Sequence, residues 1–180
     1  MTEEELIQGC TREDPACQKE VFRRYASRML GVSQRYARSI EDAEDILQDA
    51  FIKVFDKIGQ FKSEGSFEGW IRKIVVNTAL KKYSLTRYAK EITGLEHTEN
   101  SYSIEAPVAY SQLTEKDLLA LIKDLPDGYR LIFNLYVIEG YQHDEIAAML
   151  NIQAGTSRSQ LVKARMMLQK QILQLQKVAV

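Results

Sequence analysis

Apolar residues recur every three or four positions along most of this sequence, which is the spacing of amphipathic helices. No stretch of strand length alternates apolar and polar residues, and the chain contains only 3 prolines. Near the N-terminus, Asp14-Pro15 predicts the start of a second helix, because proline suits a first helical turn. The pattern therefore predicts an all-α fold.

A third helix is marked at both of its ends. Ser39 precedes the acidic residue Asp42 by three positions, an arrangement that caps a helix N-terminus, and Gly59 is a typical helix stop. The loop over residues 61–69 contains two glycines, and a fourth helix is predicted over residues 66–83. The apolar stripe of that helix consists of Trp70, Ile71, Ile74, Val75, Thr78 and Ala79.

Residues 91–112 lack both helical periodicity and basic side chains. Thr93-Gly94 and Ala106-Pro107 are typical loop sequences within this stretch. A loop of about twenty residues is unusual inside one compact domain. We therefore expect two small helical domains, over residues 1–90 and 113–180, joined by a linker over residues 91–112.

The second domain ends in a pattern typical of a helix-turn-helix. Two predicted helices are separated by the proline, aspartate and glycine at 126–128, and the second of them covers residues 129–138. Residues 143–150 then predict a short amphipathic helix, residues 151–154 a turn, and a longer helix starts at Gly155. The small Ala147 permits two helices to cross closely, and Ile152 is the apolar residue expected between them.

The outer face of the longer helix combines basic, hydroxyl and small apolar side chains. They are Arg158, Ser159, Val162, Lys163 and Arg165. Arginine and lysine bind guanine edges or phosphates, serine binds either, and valine contacts a thymine methyl group, so this face suits the major groove of duplex DNA. A plain helical hairpin with a basic surface is the alternative interpretation.

Charge is unevenly distributed along the chain, although the net charge is −1. Residues 61–90 carry 7 basic and 2 acidic side chains, and residues 155–180 carry 5 basic and no acidic ones. Residues 91–154 between them carry 3 basic and 11 acidic ones. Two separate basic segments in a nearly neutral protein indicate two contacts with a polyanion, unless each is simply a solvated helix face.

The composition argues against several other classes of protein. No run approaches the ~18 apolar residues of a membrane helix, and the acidic N-terminus lacks a secretory stretch, so we expect a cytoplasmic protein. No residue cluster has catalytic or metal-ligand spacing, and there is no Walker motif. We therefore expect no enzyme activity, cofactor, metal or small-molecule substrate. Cys10 and Cys17 are interpreted as reduced thiols, with a redox or metal pair as the alternative.

Three segments, in this order, resemble the extracytoplasmic-function (ECF) group of the bacterial sigma factor family. The polymerase-binding helix of that family resembles residues 42–55, DAEDILQDAFIKVF. Its minus-ten recognition segment resembles residues 66–77, SFEGWIRKIVVN, and its minus-thirty-five recognition helix resembles residues 155–165, GTSRSQLVKAR. The resemblance implies an RNA polymerase sigma factor that directs promoter-specific transcription initiation through two helical domains.

The resemblance also implies three sets of contact residues. Those for core RNA polymerase are Asp45, Gln48, Asp49, Ile52 and Lys53. Those for the melted minus-ten strand are Ser66, Phe67, Arg72, Lys73, Asn77, Lys81 and Lys82. Those for the upstream duplex are Thr156, Arg158, Ser159, Val162, Lys163 and Arg165. Ser66 and Phe67 are expected to line a pocket for a flipped base, and Asn77 is expected to bind a base edge.

At three positions the sequence leaves the role open or departs from the family pattern. Trp70 is either a stacking residue for bases or part of the core, and its place on the apolar stripe favours the core. Ser157 replaces an apolar residue that is common in the family, which predicts slightly weaker packing there. Val162 stands where the family often has a larger or polar side chain, so the base preference at that step is not predicted.

The partners that the resemblance implies are core RNA polymerase, promoter DNA and an anti-sigma protein. The DNA would be double-stranded upstream and single-stranded at the melted element. The main alternative is a stand-alone helix-turn-helix regulator with a helical sensor domain, which would bind a palindromic duplex as a dimer without polymerase. That alternative leaves the first basic segment unexplained.

Overall fold

The computed structural model describes residues 1–82 and 114–178, with side chains up to residue 175. The chain divides into two compact units, Met1–Ser84 and Leu85–Val180. All regular secondary structure in the described residues is helical, which confirms the predicted all-α class. None of the described helices is both long and apolar enough to cross a membrane. The predicted linker over residues 91–112 lies outside the described residues, so its extent stays a prediction.

The described part of the first unit is built from α-helices joined by short connections. They are α1 (Glu3–Thr11), α2 (Pro15–Tyr36), α3 (Ile40–Lys57) and α4 (Phe67–Lys82). A 3-10 turn, Ile58–Gln60, directly follows α3. The predicted helix stop at Gly59 therefore falls inside a tighter turn that continues the helix.

Side-chain caps fix where α3 and α4 begin. The Asp42 N–H donates a hydrogen bond of 3.1 Å to Ser39 Oγ, as the sequence predicts. The Gly69 N–H donates one of 3.1 Å to Ser66 Oγ in the same way. Because Ser66 is a cap, the helix predicted from residue 66 begins one residue later, at Phe67.

Helices α2, α3 and α4 pack on one another around a shared core. Met29 of α2, Ile46 of α3 and Ile71 of α4 have no exposed surface. Truncation of a side chain this deeply buried, such as Ile71→Ala, costs about 2–5 kcal/mol. This core fixes α3 against α4 and thereby sets the spacing of the residues on their outer faces.

The second unit, in its described part, is a chain of shorter helices followed by a long one. They are α5 (Glu115–Lys123), α6 (Asp127–Phe133), a π-helical turn (Asn134–Ile138), α7 (His143–Leu150) and α8 (Ala154–Val178). The helix predicted over residues 129–138 is thus divided between α6 and the π-helical turn. It also begins earlier than predicted, because Pro126 precedes the first turn as its N-cap residue.

Helices α7 and α8 form the predicted helix-turn-helix. Asn151 ends α7 in the left-handed conformation at φ 54°, and the Ile152 N–H donates to Ala147 O at 3.0 Å. Ile146 and Leu150 are fully buried, and Leu161 and Ala164 of α8 are also buried. The inner faces are therefore those that the sequence predicts, although α8 starts one residue before Gly155.

Candidate nucleic-acid interface

The outer face of α3 carries most of the predicted polymerase-binding residues. Asp45, Gln48, Asp49 and Ile52 are all exposed, and their spacing places them on one side of the helix. Ile52 is 60 % exposed. Acidic and amide groups next to an exposed isoleucine make a mixed polar and apolar surface of the kind that proteins bury on association.

Lys53 differs from the other predicted polymerase-binding residues. It is partly buried, and its ammonium group donates a hydrogen bond of 3.1 Å to Thr78 Oγ1 on α4. Thr78 itself is 3 % exposed. Lys53 therefore links α3 to α4. Its ammonium group, which the family resemblance assigned to polymerase binding, is used within the protein.

A groove of about 510 Å³ lies between α3 and α4. Its lining joins residues from two sites that the sequence predicts separately: Asp45, Gln48, Asp49, Lys53, Thr78, Lys81 and Lys82. A smaller cavity of about 90 Å³ is lined by several of these residues together with Lys57, Ile74 and Asn77. The predicted polymerase face and the predicted single-strand face thus share one groove, and Lys57 was not predicted to take part.

Lys82 connects the two faces directly. Its ammonium group lies 3.0 Å from a carboxylate oxygen of Asp45 and 3.4 Å from one of Asp42. Burial alone lowers the pKa of Lys82, but the hydrogen bonds to the two carboxylates outweigh it and raise the pKa. A DNA phosphate at Lys82 would have to replace these carboxylates.

The other polar residues predicted on α4 form a row. Lys73, Asn77 and Lys81 are exposed and follow one another at intervals of four residues, so they lie along one side of the helix. Arg72 is partly buried and has an interaction partner within the protein. The row presents two positive charges with an amide between them, a pattern that suits the backbone and base edges of a single strand.

Ser66 and Phe67 were predicted to line a pocket for a flipped base, but in the described conformation both side chains are used within the protein. The Ser66 hydroxyl caps α4, and Phe67 is 1 % exposed. The Phe67 ring packs edge-on against Tyr25, with ring centroids 5.6 Å apart, and stacks on Trp70, with centroids 5.8 Å apart. In the described conformation these two residues therefore support the loop before α4.

Trp70 and Phe61 form the outer side of this aromatic cluster. Both are partly buried, and their ring centroids are 5.6 Å apart. Trp70 stacks on Phe67, in agreement with the predicted core position, but the residue is only partly buried. Phe61 was not singled out as a site residue, although the loop that it begins was expected to lie at the melted strand.

The outward side of α8 has the composition predicted for a recognition helix. Arg158, Ser159, Val162 and Arg165 are exposed, and Val162 is 48 % exposed. Thr156 and Lys163 are partly buried, and both have partners within the protein. The opposite side is buried through Ser157, Gln160, Leu161 and Ala164.

Ser157 is bound in a way that the sequence did not reveal. It is fully buried, and its Oγ lies 2.9 Å from His143 Nδ1 at the start of α7. The His143 ring stacks on Tyr136, with centroids 4.3 Å apart and planes at 19°. Ser157 therefore has a polar partner, whereas the sequence had predicted weaker packing. The spacing of His143 and Ser157 along the sequence does not indicate that they face each other across the helix-turn-helix.

The two cysteines are buried and not joined by a disulfide bond. Burial, and then the neighbouring Cys17, raises the pKa of Cys10 to about 11. A thiol with so high a pKa stays protonated near neutral pH, which disfavours its use as a nucleophile or metal ligand. These features favour two reduced thiols over the redox or metal alternative.

Two family models match the chain. The model described as Sigma-70 region 2 matches residues 21–89, and the model described as Sigma-70, region 4 matches residues 115–168. The first match includes α3, α4 and most of α2, and the second includes the helix-turn-helix. Together they span about two thirds of the chain.

Several RNA polymerase sigma factors are similar to this chain over nearly their whole length. The RNA polymerase sigma-H factor of Pseudomonas aeruginosa is 25 % identical, with 91 % of this chain and 90 % of that protein covered. The ECF RNA polymerase sigma-E factor of Haemophilus influenzae is 28 % identical, with 96 % of each chain covered. The ECF RNA polymerase sigma-E factor of Escherichia coli is 26 % identical.

A solved structure has the same fold. It is that of the sigma factor RpoE in complex with the anti-sigma factor NepR from Bartonella quintana, at a TM-score of 0.52 and 22 % identity. The likeness covers 87 % of this chain and 96 % of that one. The family matches and the named relatives confirm the prediction of an RNA polymerase sigma factor. The chain belongs to the sigma-70 family of RNA polymerase sigma factors, in its ECF group.

Proposed function

We propose that the protein binds core RNA polymerase through the outer face of α3 and binds promoter DNA through two separate helical surfaces. The observation that carries this proposal is the groove between α3 and α4, where carboxylates suited to a protein partner lie beside cations suited to DNA. A subunit that must hold polymerase and a DNA strand at neighbouring positions needs such an arrangement.

The polymerase contact is assigned to Asp45, Gln48, Asp49 and Ile52. Their shared exposure on one helix side supports this, since the buried side of α3 is fully used by the core. Lys53 is assigned a supporting role, because its ammonium group is bound to Thr78. The names of the relatives, which are RNA polymerase sigma factors, support the choice of partner.

Capture of the melted strand is assigned to the row of Lys73, Asn77 and Lys81, with Lys82 joining once its carboxylate partners are displaced. The exposed part of Trp70 lies at the start of the same helix and offers a surface on which a base can stack. Ser66 and Phe67 are assigned supporting roles, because Ser66 caps the helix and Phe67 stacks on Trp70. Arg72 is assigned to a phosphate contact at the edge of the row.

Recognition of the upstream duplex is assigned to α8. Arg158, Ser159, Val162 and Arg165 present hydrogen-bond donors and a methyl surface toward a major groove. Thr156 and Lys163, which are partly buried, are assigned contacts with the DNA backbone. This helix-turn-helix is backed by a buried core, so the face is presented on a rigid support.

The domain boundaries that fit this division are residues 1–90 and 113–180, with residues 91–112 as the linker. Neither basic surface carries enough charge to hold a promoter tightly in physiological salt. Once polymerase fixes both domains, the second DNA contact becomes intramolecular and its effective concentration rises. The two weak contacts then act together at one promoter.

We assign no catalytic chemistry, metal or cofactor to the protein, and we place its action in the cytoplasm, where polymerase and promoters are found. Strand opening would be driven by the binding of flipped bases. An anti-sigma protein is a further expected partner, because the similar RpoE structure is a complex with the anti-sigma factor NepR. Such an inhibitor would compete for the surfaces used by polymerase.

The test is reconstitution with purified core polymerase, followed by mapping of transcription start sites on bacterial genomic DNA. We expect transcripts at new positions that need both proteins. The Lys163→Ala variant should lose much of this transcription and still bind polymerase, whereas the control Lys170→Ala, further along α8, should retain it. Core enzyme that neither captures the chain nor initiates at new positions would overturn the proposal.

A further inference from the structure

A contact between three residues of the second unit has no role in the proposed function. His143, the first residue of α7, is bound through Nδ1 to Ser157 Oγ at 2.9 Å. Its ring stacks on Tyr136 of the π-helical turn, with centroids 4.3 Å apart. A hydrogen bond to the ring edge and a stack on the ring face together restrain both the position and the rotation of the imidazole.

Ser157 connects this ring to the recognition helix. It lies near the start of α8 and has no exposed surface, so its hydroxyl depends on a protein partner. A hydroxyl both donates and accepts hydrogen bonds, so the bond to His143 can persist whether the imidazole is neutral or protonated. Ser157 is therefore suited to hold the ring in one orientation in either state.

The second ring nitrogen of His143 is the one that can bind another group, because Nδ1 is occupied by Ser157. His143 is partly exposed, and the charges of Arg158 and Arg165 act on its imidazole. Both arginines belong to the face assigned to duplex DNA. Because two cationic side chains act on this imidazole, the chemical class of ligand that suits it is an anion.

We propose that His143 binds a backbone phosphate of the upstream duplex through Nε2, and that Ser157 is the positioning residue that aims the imidazole. The inference rests on the proposed function, because it uses the same duplex and the same helix-turn-helix. It adds a side chain of α7 to the DNA contact surface, and the charge of that side chain depends on pH.

The charged and polar groups around the imidazole set the direction of this titration. They are Asp144 on α7, Ser157, Arg158 and Arg165 on α8, and Tyr136 on the π-helical turn. Burial is the largest cause that lowers the pKa of His143 below 6.5, Arg158 and Arg165 lower it further, and Asp144 opposes them. A phosphate at Nε2 stabilises the imidazolium and so raises the pKa in the complex.

Binding of duplex DNA therefore takes up a proton at His143. Affinity rises as the pH falls through the pKa of the complex, and it levels off below the lower pKa of the free chain. Over that window we expect affinity to increase about fivefold, which corresponds to a pKa rise of about 0.7 unit on binding.

The test measures fluorescence anisotropy of a labelled 30-base-pair duplex of mixed sequence with the full chain, at low salt, between about pH 5.5 and about pH 8. A mixed sequence suffices, because phosphate contacts do not depend on base sequence. The only other histidine is His97. The wild-type chain and the control His97→Gln should bind more tightly as the pH falls, whereas His143→Gln should lose this dependence and bind about fivefold more weakly at low pH.

A second variant separates positioning from a merely structural role. Ser157→Ala keeps the imidazole and removes its hydrogen bond, so the gain in affinity at low pH should fall from about fivefold to about twofold, while affinity at high pH stays near that of the wild type. A merely structural role of Ser157 would weaken binding equally at all pH values. If instead His143→Gln retains the wild-type pH dependence, or loses affinity only in parallel with its thermal stability measured by circular dichroism, the phosphate contact is overturned. Normal start-site selection with core polymerase alongside that result would leave the proposed function standing.

Discussion

The two surfaces assigned to DNA differ in how their positive charges are held. In the first unit, Lys82 of α4 is paired with Asp45 and Asp42 of α3. In the second unit, residues 155–180 contain no acidic residue, and Arg158 and Arg165 of α8 are exposed. The cations of the first surface share a groove with carboxylates. Those of the second surface belong to a segment of the chain, residues 155–180, that contains no acidic residue.

The two surfaces are therefore accessible to DNA phosphates to different degrees. A phosphate at Lys82 must displace carboxylates, and one of these belongs to Asp45 on the proposed polymerase face. Polymerase that occupies Asp45 would remove the competitor and release Lys82. We therefore expect strand capture by the first unit to depend on polymerase more strongly than duplex binding by the second unit does.

The largest effect is expected when the polymerase face itself is reversed in charge. Asp49→Arg places a cation in the middle of the exposed side of α3, and we expect affinity for core polymerase to fall by about tenfold or more. The measurement is a fluorescence titration of labelled chain with core enzyme. Glu4→Arg, an exposed charge reversal on α1, is the control and should leave affinity unchanged. Unchanged affinity for Asp49→Arg would remove this residue from the interface.

A somewhat smaller effect is expected on the recognition helix. Arg158→Ala should weaken binding of the polymerase complex to its mapped promoter by about 1 kcal/mol, which is about fivefold, if the side chain contacts a base edge, with the loss concentrated at one promoter position. If the contact is to a phosphate, the loss should be similar for all sequences, and the slope of affinity against salt should fall by about 1. Lys170→Ala is the control. Full promoter affinity in Arg158→Ala would contradict the assignment of α8.

A comparison of adjacent lysines tests whether the carboxylates matter. Lys81→Ala removes an exposed cation from the row on α4 and should weaken capture of a labelled single strand by the polymerase complex about threefold. In the chain without polymerase, Lys82→Ala should change single-strand affinity less than Lys81→Ala does, because Lys82 is already paired. Equal losses for the two variants without polymerase would show that the ion pairs do not restrain Lys82.

The smallest expected effect is a gain. Asp42→Asn removes one carboxylate from Lys82 and retains the backbone N–H that bonds to Ser39. Because the pair is partly exposed, we expect single-strand affinity of the free chain to rise only about twofold. Asp56→Asn, an exposed change near the other end of α3, should have no effect. A rise of the same size in both variants would indicate a general charge effect.

The helices could be predicted from the sequence because their signals are local. The cap at Ser39 and the turn between α7 and α8 depend on neighbouring residues and on a repeating apolar pattern. The outward faces of α3 and α8 follow from the same pattern, since residues opposite a buried stripe are exposed. These parts of the candidate site can therefore be predicted from the sequence alone.

The contacts between helices could not be predicted in this way. Lys82 and Asp45 are 37 positions apart, and His143 and Ser157 are 14 apart, so no periodicity links them. Phe67 differs from its prediction for the same reason: the family resemblance implied a residue that lines a base pocket, but the ring is buried against Tyr25 and Trp70. Pairings of this kind depend on how the helices pack, which a single sequence does not specify.

Promoter binding through two separate surfaces is tested most directly by a hydroxyl-radical footprint of the polymerase complex on a promoter found by start-site mapping. We predict two protected stretches on the same DNA, one upstream in the duplex and one at the melted element, and neither with the chain alone at physiological salt. Lys163→Ala should weaken the upstream stretch first. A single palindromic footprint formed by the chain without polymerase would contradict promoter binding through two surfaces that polymerase brings together.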